Sequence, residues 1–400
     1  MTSNDITLYG AMWCPDCKRS KAFLTEQRVP FTYVDLEEHP EATQTVQDLN
    51  EGKQIIPTIV FPDGSYLAEP TNEELAEKLG LSRAAMENHY DVVIVGGGPT
   101  GLTTSIYAAR ENLRTVIIER SALGGQAAVT ERLDNYPGFP EGIGGADLAE
   151  RFAAQAARYD VETLPAVSVA ALRPQGNGIT LVQTSTGQEI TARAVLVATG
   201  STYRRTEVEG EDDLIGAGIH FCATCDGPFY KGADELVVLG GGNSGFEEGL
   251  FLAQFADHVT IIERSATPKA SALLQDKVES HPRMSVMTET SLVRFTANDA
   301  GKLASVTLAD REGGETVHEA NAAFVFIGLD PNTGWLDGLL QLDAAGFVVT
   351  SRMLESSVPG IFAAGDVRAG STKQLAAAVG EGAAVALQIR AHLEEQEAGG

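Results

Sequence analysis

The sequence predicts an α/β protein of three folding units, a small one at the N-terminus and two that bind dinucleotides. Two observations carry that expectation. Val92-Val93-Ile94-Val95 is a buried-strand run, Gly96-Gly97-Gly98-Pro99-Thr100-Gly101 opens a helix behind it, and a second strand ends at Glu119. The pattern recurs 144 residues later as Leu236-Val237-Val238-Leu239, Gly240-Gly241-Gly242-Asn243-Ser244-Gly245 and a strand ending at Glu263, and ten of the thirty aligned positions (91–120 against 235–264) are identical. The second observation is that all four cysteines fall into two Cys-x-x-Cys pairs, Cys14/Cys17 and Cys222/Cys225.

Composition narrows the class. Four hundred residues, 43% hydrophobic and 21% charged, suit a globular enzyme of two or three domains. A formal charge of −26 argues against nucleic-acid partners, because nonspecific binding to phosphates needs excess Lys and Arg. The N-terminal residues show neither a basic region nor a long apolar stretch, and no segment approaches the length of a membrane span. The expectation is a cytoplasmic protein with no membrane partner. Cys-x-x-Cys pairs inside cells serve redox or metal chemistry, and two pairs in separate contexts favour redox over one shared zinc site.

Along the chain, Ile6 to Tyr9 reads as a strand and the helical spacing from Trp13-Cys14-Pro15-Asp16-Cys17-Lys18 runs through Leu24. Cys14 therefore lies at a helix N-terminus, where unpaired N–H groups favour a thiolate, and Lys18 and Arg19 are expected to add to that bias. Phe31 to Asp35 is a second strand, residues 38–50 a polar helix, and 55–61 a strand with Pro57 near its start. A proline there removes a ladder donor, and a cis bond beside the cysteine pair is one reason for it. The WCPDC turn, the Ile56-Pro57-Thr58 run and the Asp63-Gly64-Ser65 hairpin make this segment resemble the glutaredoxins, closest to the mycoredoxin-like members. The resemblance implies a thioredoxin-like fold with Cys14 attacking, Cys17 resolving and Pro57 cis and facing them. Ala68-Glu69 stands where glutathione-using members carry Gly-Gly, which speaks against glutathione.

The two glycine motifs are Rossmann βαβ starts. In the first, Gly96 makes the tight turn, Gly98 lets a pyrophosphate approach, Gly101 permits close helix packing, and Glu119 is placed to meet a ribose. Gly125 and Gln126 follow, then Asn135, the strand end Ala198-Thr199-Gly200, and near the C-terminus Gly365-Asp366. These resemble the flavin half of the two-dinucleotide disulfide reductases, so FAD is expected at the first unit and the nicotinamide cofactor at the second, with residues 324–328 as its closing strand.

Cys222-Ala223-Thr224-Cys225-Asp226 precedes the second glycine motif, and the chain ends about thirty-five residues after Gly365. On those marks residues 91 to about 394 resemble the low-molecular-weight thioredoxin reductases. The resemblance implies hydride transfer from NAD(P)H to FAD, reduction of Cys222/Cys225 with Cys225 nearest the flavin, Asp226 moving the proton, hinges near 201–208 and 328–333, and a homodimer. Lys373-Gln374 stands where the family has a flavin-contacting Arg-Gln. NADPH-using members carry His-Arg-Arg and a later Arg where this chain has Glu263-Arg264-Ser265 and Lys269. The glutamate favours the ribose diol of NADH, while Arg264 and Lys269 keep NADPH open. His220, two residues before Cys222, is a candidate base that competes with the favoured reading of an ordinary edge histidine, since the resemblance already gives proton transfer to Asp226.

The expected organisation is a glutaredoxin-like domain (1–82), a linker (83–90), an FAD-binding domain in two parts (91–207 and 331–394) and an NAD(P)H-binding domain with the second cysteine pair (208–330). The expected function is electron transfer from NAD(P)H through FAD and Cys222/Cys225 to Cys14/Cys17, then to protein or small-molecule disulfides. A flavoprotein of the alkyl hydroperoxide reductase type, feeding a peroxiredoxin, and a non-catalytic redox sensor are the alternatives.

Overall fold

The computed structural model describes residues 6–11, 14–27, 29–128, 130, 133, 135–176 and 178–399, without the side chains of Ala22, Glu26, Thr224 and Cys225. The chain divides into two compact units. One comprises Met1–Glu131, Ile143–Thr202 and Asp330–Gly400, and the other Arg132–Gly142 and Tyr203–Leu329. Each is described by itself.

The first unit begins with a four-stranded sheet. Ile6–Gly10 lies parallel to Phe31–Asp35 on one side and antiparallel to Thr58–Val60 on the other, and Thr58–Val60 pairs with the edge strand Tyr66–Ala68. Alternating burial along Ile6–Gly10 sends Ile6 and Leu8 into a core with Phe23, Leu24, Ile59 and Leu75. The helices Pro15–Glu26, Thr43–Leu49 and Asn72–Lys78 complete this α/β module. The polar stretch after residue 38 enters its helix later than its pattern predicts, through a 3₁₀ turn at Pro40–Ala42. Asn72–Lys78 starts on a full capping box between Thr71 and Glu74.

The larger sheet of the same unit runs in the spatial order Glu162–Pro165, Thr115–Glu119, His89–Val95, Glu189–Val197, Thr180–Thr184, Val169–Pro174, with Ile361–Ala363 parallel to the end of Glu189–Val197. Its central strands carry continuous apolar runs because both faces are covered. Helices Pro99–Arg110, Gly145–Ala157 and Leu375–Gly399 pack together on one face.

The second unit holds a five-stranded parallel sheet in the order Ile219–His220, Ala322–Val325, Glu235–Leu239, His258–Ile262, Met284–Met287, with helix Asn243–Leu252 in its core and an antiparallel trio Ser291–Ala297, Leu303–Ala309, Glu315–Glu319. Its closing strand Ala322–Val325 ends short of the expected Gly328, although Phe326 N–H still donates to Leu239 O at 2.8 Å. Among the described residues, no helix is long and apolar enough to cross a membrane.

Candidate active site

Cys14 is the N-cap of Pro15–Glu26, and its Sγ accepts the N–H of Cys17 at 3.2 Å. Both cysteines are free and buried. The Ile56–Pro57 bond is cis. A β-carbon at Gly10 would stand 2.9 Å from the Cys17 sulfur, so that glycine makes room for the second thiol. Hydrogen bonding from the Cys17 side chain, joined by its N–H, outweighs burial and holds the Cys14 pKa down at about 7. The same pairing and burial push Cys17 far up, so it keeps its proton. Arg19 takes no part in this, contrary to the expectation from sequence. Its guanidinium is turned to Pro70 O at 2.7 Å and to Asp16 at 3.2 Å.

In the larger part of the first unit, the glycine motif is assembled by steric necessity. Gly96 is left-handed (φ +108°), and a β-carbon on it would strike Ala198 O; one on Gly101 would strike Gly96 O. Motif and strand end Ala198-Thr199-Gly200 are thus brought together. Gly98 differs: a β-carbon there would meet nothing, and it is the N-cap of Pro99–Arg110 with no side-chain cap. Gly125 lies against it, its virtual β-carbon 3.3 Å from Gly98 Cα, which places exposed Gln126 next to the same opening. Gly365, at φ +76°, packs against Thr100 and carries Asp366 to the start of the same helix.

Three of the residues expected at the cofactors have defined surroundings within the chain. The Glu119 carboxylate is bonded to its own loop: Oε2 accepts Gly97 N–H and Oε1 accepts Ser121 N–H, each at 2.6 Å, and each oxygen keeps a second lone pair. It braces the glycine loop before it meets any ribose. Lys373 Nζ donates to Asp366 O at 2.6 Å and Arg368 O at 3.1 Å and lies 4.0 Å from the Phe347 ring, so its ammonium serves its own loop; burial lowers its pKa. Asn135 groups with the second unit, where residues 135–140 line an open cavity of about 310 Å³. Gln374 directly precedes Leu375–Gly399, and its carbonyl accepts Ala378 N–H at 2.9 Å.

Sequence reasoning missed two bracing residues. Asn332 holds the strand end through Nδ2 to Thr199 O (2.8 Å) and N–H to Gly200 O (3.0 Å). Glu381 accepts Gly365 N–H at 2.7 Å and pairs with Arg368. Neither belongs to a glycine or cysteine motif, and each acts on a segment far away or buried behind it.

The second glycine motif repeats the first. Gly240 (φ +125°) faces Phe326 O, Gly245 faces Gly240 O, and Gly242 is an open, uncapped N-cap of Asn243–Leu252. Glu263 accepts Gly241 and Ser265 N–H groups, each at 2.7 Å. Burial opposes its charge, yet the N–H groups of Ser265 and Gly241 outweigh it and leave the pKa below the ordinary value. Lys269 N–H donates to Gly241 O at 2.8 Å, and Asn243 Oδ1 accepts Ser271 N–H at 2.8 Å, so these residues shape the loop; Ser244 follows Asn243 in the first turn. The Arg264 and Lys269 side chains are exposed.

Cys222 is disulfide-bonded and precedes the short helix Ala223–Asp226; the Cys225 side chain lies outside the described residues. Asp226 N–H donates to Cys222 O at 3.1 Å. Buried His220 sits between two groups, its Nδ1 3.5 Å from the Asp226 carboxylate and its Nε2 2.7 Å from the Tyr230 hydroxyl.

Two family models match this chain, Pyridine nucleotide-disulphide oxidoreductase over residues 90–382 and Glutaredoxin over 6–66. The thioredoxin reductase of Treponema pallidum is 38% identical over 310 residues, 77% of this chain and 99% of that protein. That of Bacillus subtilis is 37% identical over 317 residues, 77% of this chain and 96% of that protein. The crystal structure of thioredoxin reductase from Streptococcus pyogenes aligns with a TM-score of 0.72 at 34% identity, covering 77% of this chain and 99% of that one.

The chain belongs to the thioredoxin reductase family.

It is a low-molecular-weight flavoprotein of that family with a fused glutaredoxin-like domain, an NAD(P)H-dependent disulfide oxidoreductase that uses FAD and NAD(P)H and acts on a thiol–disulfide substrate. The two dinucleotides fit what the chain offers. At Gly98 and at Gly242 the backbone leaves open space in front of an uncapped helix N-terminus, whose N–H groups suit a pyrophosphate.

Proposed function

We propose that this reductase passes electrons through Cys222/Cys225 to its own Cys14/Cys17 pair, and from there to a disulfide outside the chain. One observation carries the reading. The thioredoxin reductase relatives match 77% of the chain, and the remainder brings a second thiol pair whose first member has a pKa of about 7. A thiol titrating near the ambient pH is the most effective attacking group in thiol–disulfide exchange.

When bound, the two cofactors supply hydride chemistry worth two electrons per NAD(P)H. The chain's residues do the rest. Uncapped N–H groups behind Gly98 and Gly242 hold the pyrophosphates, while Glu119 and Glu263 keep those loops in shape. Once the Cys222/Cys225 disulfide is reduced, Asp226 holds the proton that the thiols exchange, and His220 orients its carboxylate. Cys222 Sγ then attacks Cys14 Sγ, the Cys14–Cys17 bond breaks, and Cys17 leaves as a thiolate that takes up a proton. Cys225 closes on Cys222 and releases Cys14 as a thiolate. One disulfide has formed and one has opened, and two electrons have moved.

Replacing Cys14 with Ser tests the relay: turnover with a protein disulfide should fall at least tenfold while reduction of the flavin by NAD(P)H is unchanged. Equal turnover would end the reading. The acceptor we favour is a protein disulfide, on a thioredoxin-like protein or a peroxiredoxin, rather than glutathione. Glu69 donates its N–H to Pro57 O at 2.8 Å and is exposed, and Ala68-Glu69 stands where glutathione-using relatives carry Gly-Gly. For the nicotinamide cofactor we favour NADH, because anionic Glu263 works against a 2′-phosphate. A kcat/KM several-fold higher for NADPH would reverse that choice. We further propose a cytoplasmic homodimer, which sedimentation would test for assembly.

A further inference from the structure

The ten residues between the module and the Rossmann sheet look like free chain in sequence, but their contacts do not. Arg83 donates to Ala166 O from Nε (3.2 Å) and Nη2 (2.8 Å), and the same Nη2 pairs with Glu73 of the module at 3.1 Å. Ala85 N–H donates to Gln188 Oε1 at 2.7 Å, and Gln188 Nε2 returns a bond to Ala85 O at 3.2 Å. Met86 N–H donates to Glu162 Oε1 at 2.8 Å, and the other oxygen of Glu162 takes the Tyr90 hydroxyl. The apolar side agrees with the polar one. Ala166, left-handed at φ +54°, is buried in the module's own core with Phe23 and Leu75, while Ala85 packs on the core of the FAD-side sheet. Helix Pro15–Glu26, which carries Cys14 at its cap, packs on helix Gly145–Ala157.

We propose that the surface formed by Glu162, Ala166, Gln188 and helix Gly145–Ala157 is a docking site for the chain's own glutaredoxin-like module, and that the module works there as a fixed station instead of swinging on a tether. A tether would leave the N–H groups of Ala85 and Met86 to water. Here both are taken by side chains far off in sequence, Gln188 just before strand Glu189–Val197 and Glu162 in strand Glu162–Pro165, and one residue, Arg83, ties module, linker and sheet together. Electrons enter Cys14/Cys17 with the module in place, so the linker is not the moving part; this second half rests on the relay through Cys14 proposed above.

Hydrogen exchange on the full-length FAD-loaded protein tests the dock. Amides 85 and 86 should exchange at least a hundredfold more slowly than in an unstructured peptide, and at least tenfold faster in Arg83→Ala/Gln188→Ala than in wild type. Exchange of these amides at the free-peptide rate in wild type overturns the dock. Single-turnover reduction of a protein disulfide then tests the station. Release of the module by the double variant should slow the Cys14-dependent phase at least tenfold with no change in flavin reduction by NAD(P)H, and Glu162→Ala should do the same by a separate contact. A released module that transfers as fast as wild type overturns the fixed station. If Cys14→Ser has no effect, the relay is wrong, while the exchange result still decides the dock.

Discussion

Cys14 and Cys17 divide their labour through one hydrogen-bonded contact. Cys14 Sγ collects the Cys17 thiol and N–H, and Gly10 yields the space that lets Cys17 come so close. Alkylation of the reduced protein by iodoacetamide should therefore show one module thiol titrating near pH 7, with Cys17 unreactive below pH 9. The sign follows from the cause. Cys17→Ala removes the thiol donor and should move the Cys14 midpoint upward by about one unit, whereas Cys17→Ser keeps a donor and should move it less. An unmoved midpoint in Cys17→Ala would show that the helix terminus alone sets the Cys14 acidity. Residue identity in the sequence was enough to pick out the pair and the cis proline. It was not enough for the contacts of Arg19, which turns to Pro70 O and Asp16, or of Lys373, which donates to Asp366 O. A long cation follows the nearest buried acceptor, and no motif spacing encodes where that acceptor lies.

At the scale of the element, the two glycine loops separate glycines needed for folding from one left open for a ligand. Gly101 sits directly over Gly96 O, so Gly101→Ala should cost about 3 kcal/mol and lower Tm in the absence of FAD. Gly98 has ordinary φ of −72° and open space at its β-carbon. Gly98→Ala should leave Tm without FAD within about 2 °C, or raise it slightly, yet weaken FAD binding at least tenfold. Titration with FAD and thermal unfolding of both variants give the comparison; a Gly98→Ala protein that binds FAD normally would remove Gly98 from the cradle. These loops were legible in the sequence because strand, turn, helix and acid are all local and each glycine has a steric reason. Glu119 and Glu263 were found for the right position but with an incomplete role, since the backbone N–H groups they hold are implied by geometry alone.

In the whole molecule, what the sequence hid is what joins the module to the rest. Its clasp links positions as far apart as Arg83 and Ala166, or Ala85 and Gln188, and neither Gln188 nor Glu162 stands in any recognisable motif. The clasp also lies two hydrogen bonds from the first glycine loop. Ala166 follows Glu162–Pro165, Pro165 pairs with Glu119, Val167 N–H donates to Glu119 O at 3.0 Å, and the Glu119 carboxylate holds Gly97. FAD that orders the glycine loop should therefore steady the dock, and through it the module. Saturating FAD at a hundred times its Kd stabilises the unit that binds it by about 2.7 kcal/mol. If module and FAD-side sheet unfold together, hydrogen exchange in the module strand Ile6–Gly10 should slow on FAD addition by the same factor as in His89–Val95. In Arg83→Ala/Gln188→Ala the slowing should persist in His89–Val95 and vanish from Ile6–Gly10. Equal slowing in that variant would mean that the contact of Ala166 with the module core is sufficient to couple them without the clasp.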